Sequence, residues 1–290
     1  MSKIIVIAGP TACGKTKVSI ELAKKLNAEI INADAVQVYK DVNIGTAKIT
    51  KEEMEGIPHH LIDFVSLDKK YTIYDYQKEG RKVLDNLIKE NKNILIVGGS
   101  GLYIKSLLYD YNLEDEIKKE SIYQDLSNEE LKSLADKIDI NNNIHVNNRK
   151  RLLRYLEHYN NTGKVTENNE SKNKPLYDFK IIYLRPDREE LYNYINNRVD
   201  KMIDNGLLEE AKYLYDKKIN TNSIIGYKEL NEYFDNKVSL EEAIDNIKKN
   251  TRHYAKRQLT WFNNQFKDKI EIKVDYNNFD KTIKETLKVI

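Results

Sequence analysis

Residues 3–16 decide the fold of this chain, and they run Lys3-Ile4-Ile5-Val6-Ile7-Ala8-Gly9-Pro10-Thr11-Ala12-Cys13-Gly14-Lys15-Thr16. The apolar part, Ile4–Ala8, is typical of a buried parallel strand, and the residues after Thr16 have the apolar spacing of a helix. Between strand and helix stands the pattern G-x-x-x-x-G-K-[ST], a loop whose backbone N–H groups cradle phosphate oxygens. The sequence therefore predicts a phosphorylated ligand at the N-terminus of the first helix.

Each residue type in this loop has a physical role. The glycines let the backbone bend closely around oxygen atoms, Lys15 adds a point charge, and the Thr16 hydroxyl can hold Mg²⁺. We therefore predict Mg²⁺ as a cofactor and Thr16 as its protein ligand. The predicted phosphate-binding residues are Gly9, Pro10, Thr11, Ala12, Cys13, Gly14, Lys15 and Thr16.

The composition limits the class of protein. The chain has 290 residues, enough for an α/β core with an insertion, and its net charge of +2 does not by itself indicate a nucleic-acid partner. Cys13 is the only cysteine, which excludes an intramolecular disulfide and favours the reducing cytoplasm. No apolar run approaches the ~20 residues of a membrane span. We expect a cytoplasmic monomer with neither a membrane helix nor a signal peptide.

Strand-like and helix-like segments alternate along most of the chain. This alternation predicts an α/β fold, a P-loop core built on a parallel sheet, over residues 1–110 and 176–290. Between Leu108 and Pro175 the strand signal disappears and charged helical segments replace it, followed by a polar loop from Asn160 to Lys174. We therefore predict an all-helical insertion domain over residues 111–175. The predicted strands are Lys3–Ala8, Glu29–Ala33, Asn93–Val97, Phe179–Leu184 and Ile270–Val274.

Polar or glycine-rich residues follow two further strands. Asp34 comes after the second strand, and Gly98-Gly99-Ser100-Gly101 follows Asn93–Val97. Open parallel sheets bind ligands at the carboxyl ends of their strands, so we expect these residues to face the phosphate loop. Asp34 could act as a general base or hold Mg²⁺ through water, or it could simply cap the next turn. Gln37 carries a donor and acceptors suited to a base edge, or it is a solvated turn residue.

Basic residues form two clusters. Lys150, Arg151 and Arg154 lie close together on a predicted helix, where they could dock a polyanion or form a solvated face. The segment 248–262 mixes cations with Tyr254, Trp261 and Phe262, a pattern suited to phosphate contacts and base stacking. The alternative is that these aromatic residues are core contacts of the helix, which is the interpretation we favour for Trp261.

One further arginine stands apart from both clusters. Arg198 lies on the helix after the strand Phe179–Leu184, where P-loop folds commonly bring an arginine over the phosphates. The alternative is a surface ion pair with Asp200 or Asp204.

The order and spacing of seven motifs resemble the tRNA dimethylallyltransferase family over nearly the whole chain. The Ile44–Lys48 and Pro58–Asp63 motifs are the most distinctive, because other P-loop enzymes are not expected to share them. The seven motifs are Gly9–Thr16, Asp34–Tyr39, Ile44–Lys48, Pro58–Asp63, Gly98–Tyr103, Ile225–Glu229 and Lys256–Phe262.

The resemblance implies transfer of a dimethylallyl group from its diphosphate to N6 of the adenosine 3′-adjacent to the anticodon of certain tRNAs. It implies that Asp34 accepts the N6 proton, that Arg198 helps to neutralise the leaving pyrophosphate, and that Thr11 and Ser100 hydrogen-bond near the reacting groups. It also implies that the target base is extruded and that the insertion grips the anticodon stem-loop. The implied tRNA-binding residues are Asp34, Ala35, Val36, Gln37, Ser100, Lys150, Arg151, Arg154, Gly226, Tyr227, Lys228, Lys256, Arg257 and Gln258.

Some positions depart from the pattern of the family. Ala35 replaces the usual serine, Ser100 stands in place of threonine, and Val146 and Asn148 alter a His-Pro-Asn-Asp run. An arginine expected near the start of the insertion has no clear counterpart, and Lys118 or Lys119 could substitute for it.

Three other functions are compatible with the phosphate loop. The chain could be a small-molecule kinase that uses ATP, an enzyme that prenylates free adenine nucleotides, or a non-catalytic nucleic-acid-binding NTP switch. The kinase would not need Lys256–Phe262, and the nucleotide prenyltransferase would have no use for the basic insertion. The switch would keep its function without Asp34.

Overall fold

A computed structural model of the chain describes residues 2–111, 113, 122–165 and 173–290. Within these residues, six strands form one parallel sheet in the order β3-β2-β4-β1-β5-β6. In the centre of the sheet Val6 pairs with Ile96 on one side and with Ile181 on the other. The α/β class predicted from the alternating pattern is confirmed. The strands are β1 (Ile4–Ala8), β2 (Ala28–Asn32), β3 (His59–His60), β4 (Asn93–Gly98), β5 (Lys180–Arg185) and β6 (Ile270–Lys273).

Helices connect the strands, and several begin at a side chain that caps the first turn. Thr72 and Ser239 each accept a hydrogen bond from the backbone N–H three residues on, and Asp187 accepts from the N–H groups two and three residues on. The helices are α1 (Lys15–Leu26), α2 (Ile73–Lys89), α3 (Gly101–Leu108), α4 (Asn128–Ile138), α5 (Arg149–Thr162), α6 (Arg188–Asp204), α7 (Leu207–Asp216), α8 (Tyr227–Phe234), α9 (Leu240–Gln265) and α10 (Phe279–Lys288).

The sheet has an apolar core on each face. Successive side chains of a strand point to opposite faces, so β1 sends Val6 into one core and Ile5 and Ile7 into the other. Tyr76 and Phe262 complete the first core from α2 and α9. Burial on both faces explains why the strand sequences are continuous aliphatic runs rather than alternating patterns.

The chain divides into two compact units, with boundaries at Tyr109/Asp110 and Lys174/Pro175. The smaller unit, Asp110–Lys174, contains α4 and α5, which pack around buried side chains of its own. The polar stretch predicted as a loop from Asn160 starts as helix, because α5 continues to Thr162. Lys118 and Lys119 lie outside the described residues. The small core consists of Leu131, Ala135, Ile144, Leu152, Tyr155 and Leu156.

No helix in the described part of the chain is both long enough and apolar enough to cross a membrane.

Candidate functional site

Three neighbouring strands of the sheet, β2, β4 and β1, end at one cavity of about 270 Å³. The backbone itself brings the strand ends together, because Ala33 N donates to Val97 O and Ser100 N donates to Ala33 O. The phosphate loop, Asp34 and the glycine turn after β4 therefore meet, as the sequence predicts. The polar residues that line the cavity include Thr11, Lys15, Thr16, Asp34, Gln37, Arg198 and Gln258.

The phosphate loop is held by its own backbone and by the C-terminal segment. Gly14 has a φ of 86°, a conformation that residues with a Cβ rarely adopt, and an added Cβ would lie 2.2 Å from the Phe279 ring. Tyr276 donates its hydroxyl proton to Ala12 O at 3.1 Å. Lys15 Nζ donates to the carbonyl oxygens of Gly9 and Pro10 at 3.0 and 2.7 Å. The ammonium group is thus kept beside the loop, where an incoming phosphate can attract it.

Cys13 is fully buried within the loop. Burial raises the pKa of the Cys13 thiol, and the nearby Lys15 charge only partly opposes this change. The thiol therefore stays neutral and fills space behind Gly9, where an added Cβ would lie 2.6 Å from Cys13 Sγ.

The donors near Thr16 fit a magnesium ion that arrives with a diphosphate. Thr16 lines the cavity at the start of α1, and the carboxylates of Asp34 and Glu53 line it as well. Among the described residues, no group of three His, Cys, Asp or Glu side chains could hold a metal alone. Mg²⁺ commonly binds one or two protein ligands and completes its coordination with phosphate and water oxygens. Magnesium binding at Thr16 stays a prediction.

Asp34 caps the turn that follows β2 and still faces the cavity. Its Oδ1 accepts hydrogen bonds from Val36 N at 2.9 Å and from Gln37 N at 3.3 Å. Asp34 therefore does cap this turn, as the alternative interpretation predicted. The cap uses only Oδ1, and it fixes the orientation of the second carboxylate oxygen. Ser100 Oγ accepts from Ala35 N at 3.0 Å, so its hydroxyl holds the residue next to Asp34.

Arg198 lies over the phosphate loop rather than in a surface ion pair. Its Nη1 is 3.4 Å from Thr11 Oγ1, whereas Asp200 pairs with Lys248 at 2.6 Å. Burial lowers the pKa of the Arg198 guanidinium and the Asp34 carboxylate opposes that change. Because the pKa of an arginine starts so high, the group remains a cation. The site therefore holds a cation and a carboxylate close to one phosphate cradle.

Gln258 has a structural role at the site, and its predicted contact with tRNA stays a prediction. Its side chain is largely buried, lines the cavity and bridges two glycine-containing loops. Its Oε1 accepts from Thr11 N at 2.8 Å, and its Nε2 donates to Gly99 O at 3.0 Å. Gln258 thereby joins α9 to the phosphate loop and to the turn after β4.

We expect Gln258→Met to destabilise the protein by about 3 kcal/mol, because it leaves the partly buried Thr11 N–H and the buried Gly99 C=O without partners. The measurement is urea unfolding followed by circular dichroism. The matched control is Asn263→Met on the exposed face of the same helix, which should change the stability by less than about 0.5 kcal/mol. Equal stabilities of the two variants would contradict the bridging role.

The other residues expected to bind tRNA in the larger unit divide into exposed and buried groups. Lys228, Lys256 and Arg257 are exposed, as contacts with a polyanion require. Gly226 and Tyr227 are buried, and the Tyr227 side chain is 0% exposed, so it offers RNA no surface. Their direct tRNA contact is therefore not supported. Ala35, Val36 and Gln37 are partly exposed beside Asp34.

In the smaller unit, Lys150, Arg151 and Arg154 are exposed on α5. Arg149 has a structural role instead, because its guanidinium donates a hydrogen bond to Leu126 O at 2.6 Å. The unit therefore presents a basic helix face, and its contact with tRNA stays a prediction.

The sequence analysis assigned no specific site role to two polar side chains, Tyr254 and His59. The hydroxyl of Tyr254 interacts with the side chains of Ser100 and Gln258, and burial together with the Asp34 charge raises the pKa of Tyr254. His59 lines the cavity, and its Nδ1 hydrogen-bonds to Ile57 O at 2.8 Å, so Nδ1 must carry the proton. Burial lowers the pKa of the His59 imidazole. Tyr254 was noted only within the basic and aromatic segment 248–262, and His59 only within the Pro58–Asp63 motif.

Comparison with known proteins identifies the family. The IPP transferase family profile matches residues 37–265. The tRNA dimethylallyltransferase of Anoxybacillus flavithermus is 45% identical over 99% of this chain and 96% of its own length. The corresponding protein of Bacillus cereus is 44% identical over 97% of this chain and 90% of its own.

Solved structures agree with this assignment. A tRNA isopentenylpyrophosphate transferase from Staphylococcus epidermidis is 39% identical with a TM-score of 0.75, covering 100% of this chain and 99% of that one. A eukaryotic dimethylallyltransferase that acts on tRNA is 30% identical with a TM-score of 0.87, over 99% of this chain and 78% of that one. By sequence and by structure, the chain belongs to the IPP transferase family of tRNA dimethylallyltransferases.

Proposed function

We propose that this protein transfers a dimethylallyl group from dimethylallyl diphosphate to N6 of the adenosine 3′-adjacent to the anticodon of tRNA and releases pyrophosphate. The observation that carries the proposal is the meeting of Asp34, Lys15 and Arg198 at one cavity. A phosphate cradle with two cations suits a diphosphate leaving group, and a carboxylate beside it suits the removal of a proton from the acceptor.

The reaction needs one bond to form while another breaks. The N6 lone pair attacks C1 of the dimethylallyl group, and the C1–O bond breaks with its electron pair leaving on pyrophosphate. Lys15 and Arg198 stabilise the negative charge that develops there. The N6 proton passes to Asp34, whose orientation the amides of Val36 and Gln37 fix. Mg²⁺ bound at Thr16 would supply further positive charge to the diphosphate oxygens.

The acceptor is a weak nucleophile, because its lone pair is delocalised into the purine ring. Positioning therefore has to supply much of the rate, and a cavity of about 270 Å³ at the ends of rigid strands supports such positioning. The target base has to leave the anticodon stack to enter it. The exposed cations Lys150, Arg151 and Arg154 on α5 support a role of the smaller unit in holding the stem-loop.

The alternatives are less well supported. A kinase that uses ATP would share the phosphate loop and a lid arginine, but the relatives in the comparisons carry the name tRNA dimethylallyltransferase. A prenyltransferase for free adenine nucleotides would leave the exposed cations of α5 without a use. The proposal includes a monomer that acts in the cytoplasm.

The test is to incubate the protein with Mg²⁺, dimethylallyl diphosphate and an unmodified tRNA whose anticodon loop carries consecutive adenosines. Mass spectrometry of the digested tRNA should then show dimethylallyl-adenosine. Parallel reactions with AMP and with ATP test the alternatives. Prenylated AMP with unmodified tRNA would favour the nucleotide prenyltransferase, and ATP consumption without prenylation would favour the kinase.

A further inference from the structure

A loop beside the site is held in place by the carboxylate of a single residue that is far from it in the sequence. The backbone N–H groups of Asn43, Ile44 and Gly45 all point at Glu210, which lies on α7. Asn43 N donates to Oε2 at 3.0 Å, Ile44 N to Oε1 at 2.9 Å, and Gly45 N to Oε1 at 3.3 Å. Consecutive amides that converge on an anion form a nest, and here a side chain of the protein occupies it.

Tyr227, at the start of α8, takes part in the same set of hydrogen bonds. Its hydroxyl donates to Glu210 Oε1 and accepts from Gly45 N at 3.2 Å. The approach is so close that a Cβ added at Gly45 would lie 2.5 Å from the Tyr227 ring. Two sequence motifs, Ile44–Lys48 and Ile225–Glu229, therefore meet in one contact, which we name the Glu210 clamp: Glu210, Tyr227 and the amides of 43–45.

The loop held by the Glu210 clamp fixes the amide of Gln37. Gln37 Nε2 donates to Thr46 O at 3.0 Å and to Ala47 O at 3.2 Å. Both partners are carbonyl oxygens, which can only accept, so the nitrogen rather than the oxygen of the amide must face them. Both amide protons are then used. Only Oε1 remains for a substrate, and Gln37 lines the cavity beside Asp34.

The same residue is tied to Asp34. Gln37 N donates to Asp34 Oδ1 at 3.3 Å, so a shift of the Gln37 backbone also moves the carboxylate. An adenine amino group has two N–H bonds. In the proposed reaction Asp34 removes one proton, and an acceptor near Asp34 can bind the other.

We propose that Glu210 is a positioning residue whose clamp on residues 43–47 orients Gln37, so that Gln37 Oε1 selects a base with an exocyclic amino group. This inference rests on the proposed function and identifies Gln37 Oε1 as the atom that recognises the base. A base with a carbonyl at that position would place oxygen against oxygen, and a base with hydrogen there would leave Oε1 without a donor.

The test measures binding rather than turnover. Three anticodon stem-loop RNAs differ only at the target position, which carries adenosine, purine riboside without the amino group, or inosine with a carbonyl group. Fluorescence anisotropy in the presence of Mg²⁺ and inorganic pyrophosphate gives the three dissociation constants. For the unaltered protein we expect adenosine to bind about tenfold more tightly than purine riboside, and inosine to bind more weakly still.

The variants distinguish a loss of base recognition from a loss of folding. Gln37→Met keeps the side-chain length without an acceptor oxygen, and we expect the preference for adenosine over purine riboside to fall to about one. Glu210→Gln should lower that preference several-fold, whereas Glu209→Gln, an exposed neighbour on the same helix, should leave it unchanged. Tyr227→Phe removes only the hydroxyl group and serves as the second clamp variant if Glu210→Gln does not fold by thermal melting.

Three outcomes would overturn the inference. They are equal binding of adenosine and purine riboside by the unaltered protein, a preference that survives Gln37→Met, and clamp variants that weaken binding of all three RNAs by the same factor. The last outcome would make the Glu210 clamp purely structural. Prenylation of the adenosine stem-loop, measured in parallel on the unaltered protein, tests the proposed function separately, because base preference is obtained from binding alone.

Discussion

Asp34→Asn is expected to lower kcat for tRNA prenylation by about 10³-fold, within the range for loss of a general base. Asparagine retains an oxygen that can accept from Val36 N and Gln37 N, so the turn after β2 should persist. The variant therefore removes basicity and little else. KM for dimethylallyl diphosphate should change by less than about threefold, because the phosphate loop is untouched. Single-turnover prenylation of an anticodon stem-loop measures the chemical step directly.

The matched control is Asp204→Asn, an exposed carboxylate at the end of α6. Its kcat should equal that of the unaltered protein. Thermal melting of both variants checks that the fold is retained. A kcat for Asp34→Asn within tenfold of the unaltered value would show that another group accepts the N6 proton.

The fold was largely predictable from the sequence because its central strands are buried on both faces. Ile4–Ala8 and Ile94–Ile96 are uninterrupted aliphatic runs, which are typical of strands in a parallel sheet covered on both faces. Two elements of the described residues were not predicted. β3 has only two residues, too few for any periodic signal, and α3 begins at Gly101, inside a glycine-rich stretch where no helix was predicted.

The site was predictable only where its chemistry is local. The phosphate loop and the carboxylate after β2 are contiguous patterns whose meaning follows from their place at strand ends. The contact of Gln258 with Thr11 joins residues that are 247 positions apart, and the contact of Glu210 with Ile44 joins residues that are 166 positions apart. No local pattern encodes such pairs, because they depend on how α7 and α9 pack against the sheet. The bridging role of Gln258 was therefore not predicted, and Glu210 was not singled out.

Arg198→Ala is expected to lower kcat/KM for dimethylallyl diphosphate by about 10²- to 10³-fold, the usual cost of removing one group that stabilises developing negative charge. Arg198→Lys should restore part of the loss, since it keeps the charge but has fewer and differently placed donors. Steady-state kinetics at saturating stem-loop RNA gives both values. Arg188→Ala, an exposed arginine at the start of the same helix, is the control and should behave like the unaltered protein.

A double-mutant cycle with Thr11→Val separates two roles of Arg198. Arg198 Nη1 and Thr11 Oγ1 are 3.4 Å apart, a long contact that leaves the guanidinium able to turn towards a diphosphate. If Thr11 acts only by orienting Arg198, Thr11→Val should cost about tenfold in the unaltered protein and almost nothing in Arg198→Ala. If the two losses multiply, Thr11 contacts the substrate independently, as the family resemblance implies. A rate for Arg198→Ala equal to that of Arg188→Ala would remove Arg198 from the charge-stabilising group, and Lys15 would then be the remaining side-chain cation of the phosphate loop.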